Sequence, residues 1–318
     1  MIYRFSLGVI LLLMSWNLVQ AQEQERKVMV QPDVHFRTFW MNTSYPKSDF
    51  KEDYALGMSL NLGAKVKFLE NWDFHVGYRG FTNVASSDIW EPDPISGQMN
   101  RYEIGLFDIL DPKDRFFGKL ETFSLGYTQE KFGIKIGRMG INSDWVNAQD
   151  GRLSPTAVEG VSAWFAPDKN WKFSATGVTR MSIRGSSQWL GIGETVGIFP
   201  QGRTENGRPG AYFGNTESSW LGIIEVDRKI GTLSKLHFSN TLAHNIFSTY
   251  WLSFESYFPQ ENQTFNLGLQ AGFQHGIGDG GNDNPVLRYK DPEDRNFALS
   301  GRLGWKNSRW SAHINLTQ

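Results

Sequence analysis

The sequence predicts an all-β fold, an antiparallel transmembrane β-barrel. Three observations predict it. Long segments alternate apolar and polar residues with period two. The clearest apolar faces are long enough to cross a bilayer at a tilt, ~9–11 residues. Short polar turns flanked by aromatic rings alternate with long loops, the layout of membrane barrels.

The chain has 318 residues, 40% of them hydrophobic and 14% aromatic, with a formal net charge of -1. Balanced charge gives no argument for a nucleic-acid partner. No cysteine is present, so disulfide frameworks, thiolate zinc sites and cysteine nucleophiles are excluded. At the start, Arg4 precedes an apolar run from Phe5 to Trp16 that ends in Val19-Gln20-Ala21. This pattern reads as a secretory signal peptide over 1–21. The run is shorter than the ~20 apolar residues of a helical span. Residues 22–32 read as an N-terminal segment and 33–318 as the barrel domain. An exported chain of this kind points to the outer membrane of a Gram-negative bacterium, with membrane lipid and small polar solutes as its partners and self-association left open.

Along the chain, a first strand is expected near 34–42. The second is the clearest: in "LGMSLNLGAKVKF", Leu56, Met58, Leu60, Leu62, Ala64, Val66 and Phe68 share one face, and Gly57, Ser59, Asn61, Gly63, Lys65 and Lys67 the other. "WDFHVGYRG" follows, with Trp72, Phe74, Val76 and Tyr78 opposed to Asp73, His75, Gly77 and Arg79. Noisier strands fall near 119–127, 171–183, 219–226, 233–243 and 249–258. "FGIKIG", "FNLGLQAGFQ" and "NFALSGRLGW" alternate cleanly, and "WSAHINLTQ" comes last. The count is about thirteen strands. Even numbers are the rule in bacterial single-chain barrels, so the odd count suggests a chain cut short at its C-terminus or one strand misread.

Five turns are bracketed by aromatics: Phe68 and Trp72, Tyr127 and Phe132, Phe165 and Trp171, Phe258 and Phe265, Trp305 and Trp310. Rings at headgroup level explain this, and these ten are expected in one belt at the short-turn rim. The longer connections are 43–54, 83–118, 142–157, 184–218 and 276–295.

Few motifs carry chemistry. "GIGDGG" has the glycine spacing of a dinucleotide loop, but the prolines of "NDNPVLRYKDPED" follow where a helix is needed. Asp279 and Asp283 are a weak calcium candidate, since hard cations favour such oxygens. The six histidines are scattered singly along strands. No catalytic motif, cofactor or enzymatic activity is expected. The rival readings are a barrel-wall hydrolase, which needs a serine, a histidine and an acid to converge, and a structural or adhesion barrel with a plugged lumen.

By alternation, Arg37, Lys65, Arg79, Lys135, Arg180 and Arg302 point inward, against Asp73 and Glu255. A net basic wall that attracts anions is expected. The segment "IKIGRMGINSDWVNAQDGRLSPTAVEGVSAWF" carries Gly137-Arg138-Met139, then Arg152-Leu153-Ser154-Pro155-Thr156-Ala157, then Gly160. It resembles the signature of the OprD-type outer-membrane porins. The resemblance implies a barrel of about eighteen strands with an aqueous lumen, a third loop folded into the pore and a ladder of basic wall residues. It also implies passive uptake of small carboxylate-bearing solutes such as amino acids, peptides and organic acids. The matching loop is 142–157, with Asp144, Trp145, Asp150 and Arg152 expected at the constriction. There Arg152 would hold a carboxylate, and Asp144 or Asp150 an ammonium group.

Overall fold

The structure, a computed structural model, describes residues 28–318 except 112, 149–150, 199–201 and 203–208. The signal-peptide reading therefore lies outside the described residues. Thirteen long strands form one antiparallel meander: β1 (Met29–Thr43), β2 (Asp53–Phe68), β3 (Trp72–Ser86), β4 (Phe116–Thr128), β5 (Phe132–Met139), β6 (Ala157–Phe165) and β7 (Trp171–Ser182). The two-residue β8 (Leu190–Gly191) pairs antiparallel with Arg180 and Met181 at the C-terminal end of β7. Then come β9 (Leu221–Ile230), β10 (Ser234–Ala243), β11 (Phe247–Gln260), β12 (Gln263–Gly276), β13 (Arg295–Asn307) and β14 (Ser311–Thr317). Each long strand pairs with its sequence neighbour, β7 pairing directly with β9. Among the described residues β1 pairs only with β2 and β14 only with β13, so the sheet is open.

β1 begins at Met29, earlier than the domain start read at 33. Val30 and Pro32 stand opposite Val66 and Ala64 of β2. Proline argues against a strand interior because it has no N–H to give, but a strand paired on one side tolerates it.

Burial shows which face is inside. In β2, Ser59 and Asn61 are 2% exposed, whereas Leu60 and Leu62 are 41% and 56% exposed. The polar face is the covered, concave one and the apolar face lies outside. That inversion suits a wall whose outer solvent is lipid. The same holds in β13, where Phe297, Leu299 and Leu303 are 75%, 61% and 65% exposed.

The aromatic brackets fall into lateral rows. Phe68 pairs with Trp72, Trp72 with Tyr127, Phe132 with Phe165, Phe258 with Phe265, and Phe265 with Trp305. The rings of Trp72 and Tyr127 meet edge-on at 4.9 Å, and Tyr127 lies 5.7 Å from Phe132. None of the ten bracket residues is buried. The row follows the short turns, as the belt expectation requires.

Two apolar clusters lie at the opposite, long-loop end. Ala55, Phe81, Ile89, Leu106, Phe107 and Leu153 form one; Met139, Val158, Val178, Ile192, Leu221, Ile223, Ala243 and Ile246 form the other. Both join strand ends to loop residues. The long loops therefore fold over the concave face at that end.

Candidate functional site

The segment 140–156 leaves β5 and turns into the concavity. At its tip Ser143 N–H donates to Val146 O (2.9 Å), and Val146 N–H donates to Ser143 Oγ (3.1 Å). This tight turn presents Asp144 and Trp145 to the far wall. Asp144 Oδ2 lies 2.9 Å from His237 Nε2 and accepts from Ser239 Oγ, both on β10. Trp145 meets Trp251 of β11 edge-on at 5.5 Å.

The other end of the loop reaches β1 and β2. Arg37 Nη1 donates to Arg152 O (3.2 Å), and Ser59 Oγ donates to Leu153 O (2.7 Å). Leu153, 1% exposed, is buried in one cluster with Phe107. Thr156 N–H closes the loop onto Ala148 O at 2.7 Å. The loop thus crosses the concavity from β10–β11 to β1–β2, anchored at both ends.

Ionic groups cover the wall beside it. Arg79 of β3 donates to Glu121 of β4 through Nε (2.7 Å) and Nη2 (2.8 Å). Both partners are buried, at 2% and 7% side-chain exposure. A bulge at Gly77/Tyr78 swings Glu121 out of the ladder and toward Arg79. Lys119 Nζ donates to Ser182 Oγ (2.9 Å) and Ser186 O (3.1 Å).

Above the loop, Arg101, Arg152 and Arg184 line one cavity of about 420 Å³ with Tyr102, Trp145 and Thr156. Among the described residues no carboxylate lines it, and Glu103 nearby offsets part of the repulsion on Arg152. Burial, then the like charges of Arg184 and Arg101, hold the Arg152 guanidinium below its ordinary pKa. It stays charged at neutral pH, and the mutual repulsion favours an anion between the three groups. A second cavity of about 310 Å³ lies deeper and has mixed charge, with Lys135 and Lys172 facing Asp73 and Glu225.

The expected site residues divide as follows. Arg37, Lys65, Arg79, Lys135 and Arg302 sit on the polar face, each in register with another inward position: Ser59, His75, Asn61, Ser162 and Gly268. Arg180 does not. A bulge at Glu159/Gly160 brings it opposite Glu159, on the face of Val161 and not of Gly160. Simple alternation fails there because one extra residue in a ladder flips every side chain beyond it. Asp144 does not face Arg152 across a gap; it is engaged by His237 and Ser239 on the opposite wall. Asp150 lies outside the described residues. Among the described residues Asp279 and Asp283 do not converge with a third acidic or histidine ligand. Their loop is held by bonds such as Asp279 N–H to Asn245 Oδ1 of the β10–β11 turn (2.8 Å) and Arg288 Nη2 to Asp283 O (3.3 Å). Strand reading missed Arg101 and Arg184 because they lie in long connections between strands, Arg101 on the one-turn helix Arg101–Ile104, where no strand period applies.

No family model matches the chain, and no curated protein sequence matches it. Solved structures do match. OccAB3 of Acinetobacter baumannii superposes with a TM-score of 0.68 at 13% identity, over 91% of this chain and 66% of its own. For OccK9 (OpdG) of Pseudomonas aeruginosa the values are 0.66 and 12%, over 91% and 67%. For OpdK of Pseudomonas aeruginosa with vanillate they are 0.62 and 11%, over 91% and 66%. The chain therefore spans about two thirds of the length of the porins it matches. With thirteen paired long strands, a lipid-side apolar face and an infolded third loop, this chain has the fold of an OprD-type outer-membrane porin.

Proposed function

We propose that the chain forms the wall of a water-filled outer-membrane channel for passive diffusion of small hydrophilic solutes that bear a carboxylate. Export by the N-terminal signal peptide would deliver it there. The loop at 140–156 sets the width, and basic residues set the charge preference.

The observation that carries this reading is the cavity shared by Arg101, Arg152 and Arg184 beside the infolded loop. A guanidinium matches a carboxylate with two parallel hydrogen bonds, and three of them around one cavity favour anions. Arg37, Arg79 and Lys135 continue basic character along the polar face. Arg79 is neutralised by Glu121, so it steers less than a free cation would. Vanillate, present in the OpdK structure, is a carboxylate of this class.

Swelling of liposomes containing the full-length protein tests the reading. A small carboxylic acid should enter faster than its amide of equal size. The double variant Arg101→Gln/Arg184→Gln should narrow that ratio. Equal rates for acid and amide in the unaltered protein would count against carboxylate selection.

A further inference from the structure

We infer that Asp144, Glu225 and His237 form a binding site for a divalent transition-metal ion, Zn2+ being the best fit, which fastens the infolded loop to the wall. One oxygen from each carboxylate and one imidazole nitrogen lie within 4.8 Å of one another. They come from three separate elements: the loop tip, β9 and β10. Adjacent ligand atoms around tetrahedral zinc stand about 3.4 Å apart, so rotation of these side chains closes the set.

Two further observations point to a cation. The first is the other face of the imidazole: His237 Nδ1 lies 2.9 Å from Asp227 Oδ1. A carboxylate on Nδ1–H fixes the tautomer that leaves Nε2 free to ligate. Nε2 is the atom turned toward Asp144. The second is Glu225: among the described residues its carboxylate has no hydrogen-bond or ion-pair partner, although it is only partly exposed. Three carboxylates, Asp144, Glu225 and Asp227, meet here against two lysines. Lys235 is committed to Asp227 at 2.8 Å, and Lys172 stands opposite Asp227 in the ladder. The imidazole selects zinc-like ions over calcium or magnesium, which prefer all-oxygen sets. Water would complete the coordination.

Metal binding does not depend on solute passage, so it is measured directly. The chelator-stripped full-length protein in detergent is titrated calorimetrically with Zn2+ alone. One site is expected, weakened at least tenfold in His237→Gln and in Glu225→Gln. Asp227→Asn, which leaves all three ligands in place, should lose about 10- to 100-fold. Excess Ca2+ should not compete. Co2+ gives a second readout that survives a poorly folding variant: the unaltered protein should develop visible d–d absorption that Zn2+ abolishes. Circular dichroism confirms the fold of each variant. Absence of Zn2+ binding, or equal binding by the unaltered protein and a folded His237→Gln, overturns the site. Either result leaves the channel reading standing, and failure of solute uptake leaves the metal titration interpretable.

Discussion

Leu153→Ala should loosen the far end of the infolded loop. The side chain is 1% exposed and sits so close to β2 that a Cβ placed on Gly57 would lie 2.6 Å from its Cδ1. Phe107, fully buried, holds it in the same cluster. Truncation removes these contacts and leaves a cavity whose walls, a glycine backbone and an aromatic ring, have little freedom to collapse. A cost of about 3 kcal/mol follows, within the range for buried leucines. Polar anchors of that end include Ser59 Oγ to Leu153 O and Arg37 to Arg152 O. A neutral bond of this kind contributes roughly 0.5–1.5 kcal/mol and a charged one roughly 1.5–3 kcal/mol. The variant thus loses a contribution comparable to those two bonds together. Three kcal/mol corresponds to roughly a hundredfold change in the docked-to-undocked ratio. Hydrogen exchange at the Thr156 amide, which is bonded to Ala148 O, reads that ratio. Exchange in the variant should accelerate by one to two decades, on the order set by local opening, while the amides of β10 stay protected. Exchange within about threefold of the unaltered rate, below the scale of a lost core contact, would refute the anchoring argument.

Other expectations follow from the same geometry. Glu121→Gln leaves Arg79 buried without a counter-charge and should destabilise the fold by about 3–5 kcal/mol, whereas Arg79→Met/Glu121→Leu should cost less; urea unfolding in lipid vesicles compares them. Brominated lipid chains should quench the belt tryptophans Trp72, Trp171, Trp305 and Trp310 more than Trp145, which stands inside on the loop; the reverse order would contradict the assignment of faces. Asp93 accepts from the backbone N–H groups of Lys51, Ser96 and Ile95, which holds its carboxyl below the ordinary aspartate range. A depressed carboxylate stabilises its loop above the unfolded value and loses that effect as pH falls through the folded value. Amide protection at Ser96 should therefore persist at pH 5 and fade only as the pH falls below the ordinary aspartate range, and fading already near neutrality would contradict the assignment.

Much of the fold is legible in the sequence because a strand exposed to lipid on one side and water on the other must alternate. "LGMSLNLGAKVKF" shows both faces without interruption, and β2 follows it. Turns are local too, so the aromatic brackets mark them directly. Bulges are less legible. Nothing in "GVTRMS" announces the extra residue that turns Arg180 outward. Least legible are contacts between residues far apart in the chain. Asp144 was recognisable as a loop acid, but its meeting with His237, 93 residues away, depends on the curvature of the whole wall. The same holds for Arg101, Arg152 and Arg184, which come from three separate loops yet share one cavity.

Single-channel recording on the full-length protein in a planar bilayer, with reversal potentials taken across a salt gradient, tests the channel reading most directly. The account predicts steady ion conduction with anion preference that strengthens as salt is lowered. It also predicts a larger conductance and weaker selectivity after deletion of 144–152. A bilayer that stays sealed, or a cation preference that persists when the loop acids are removed, would contradict it.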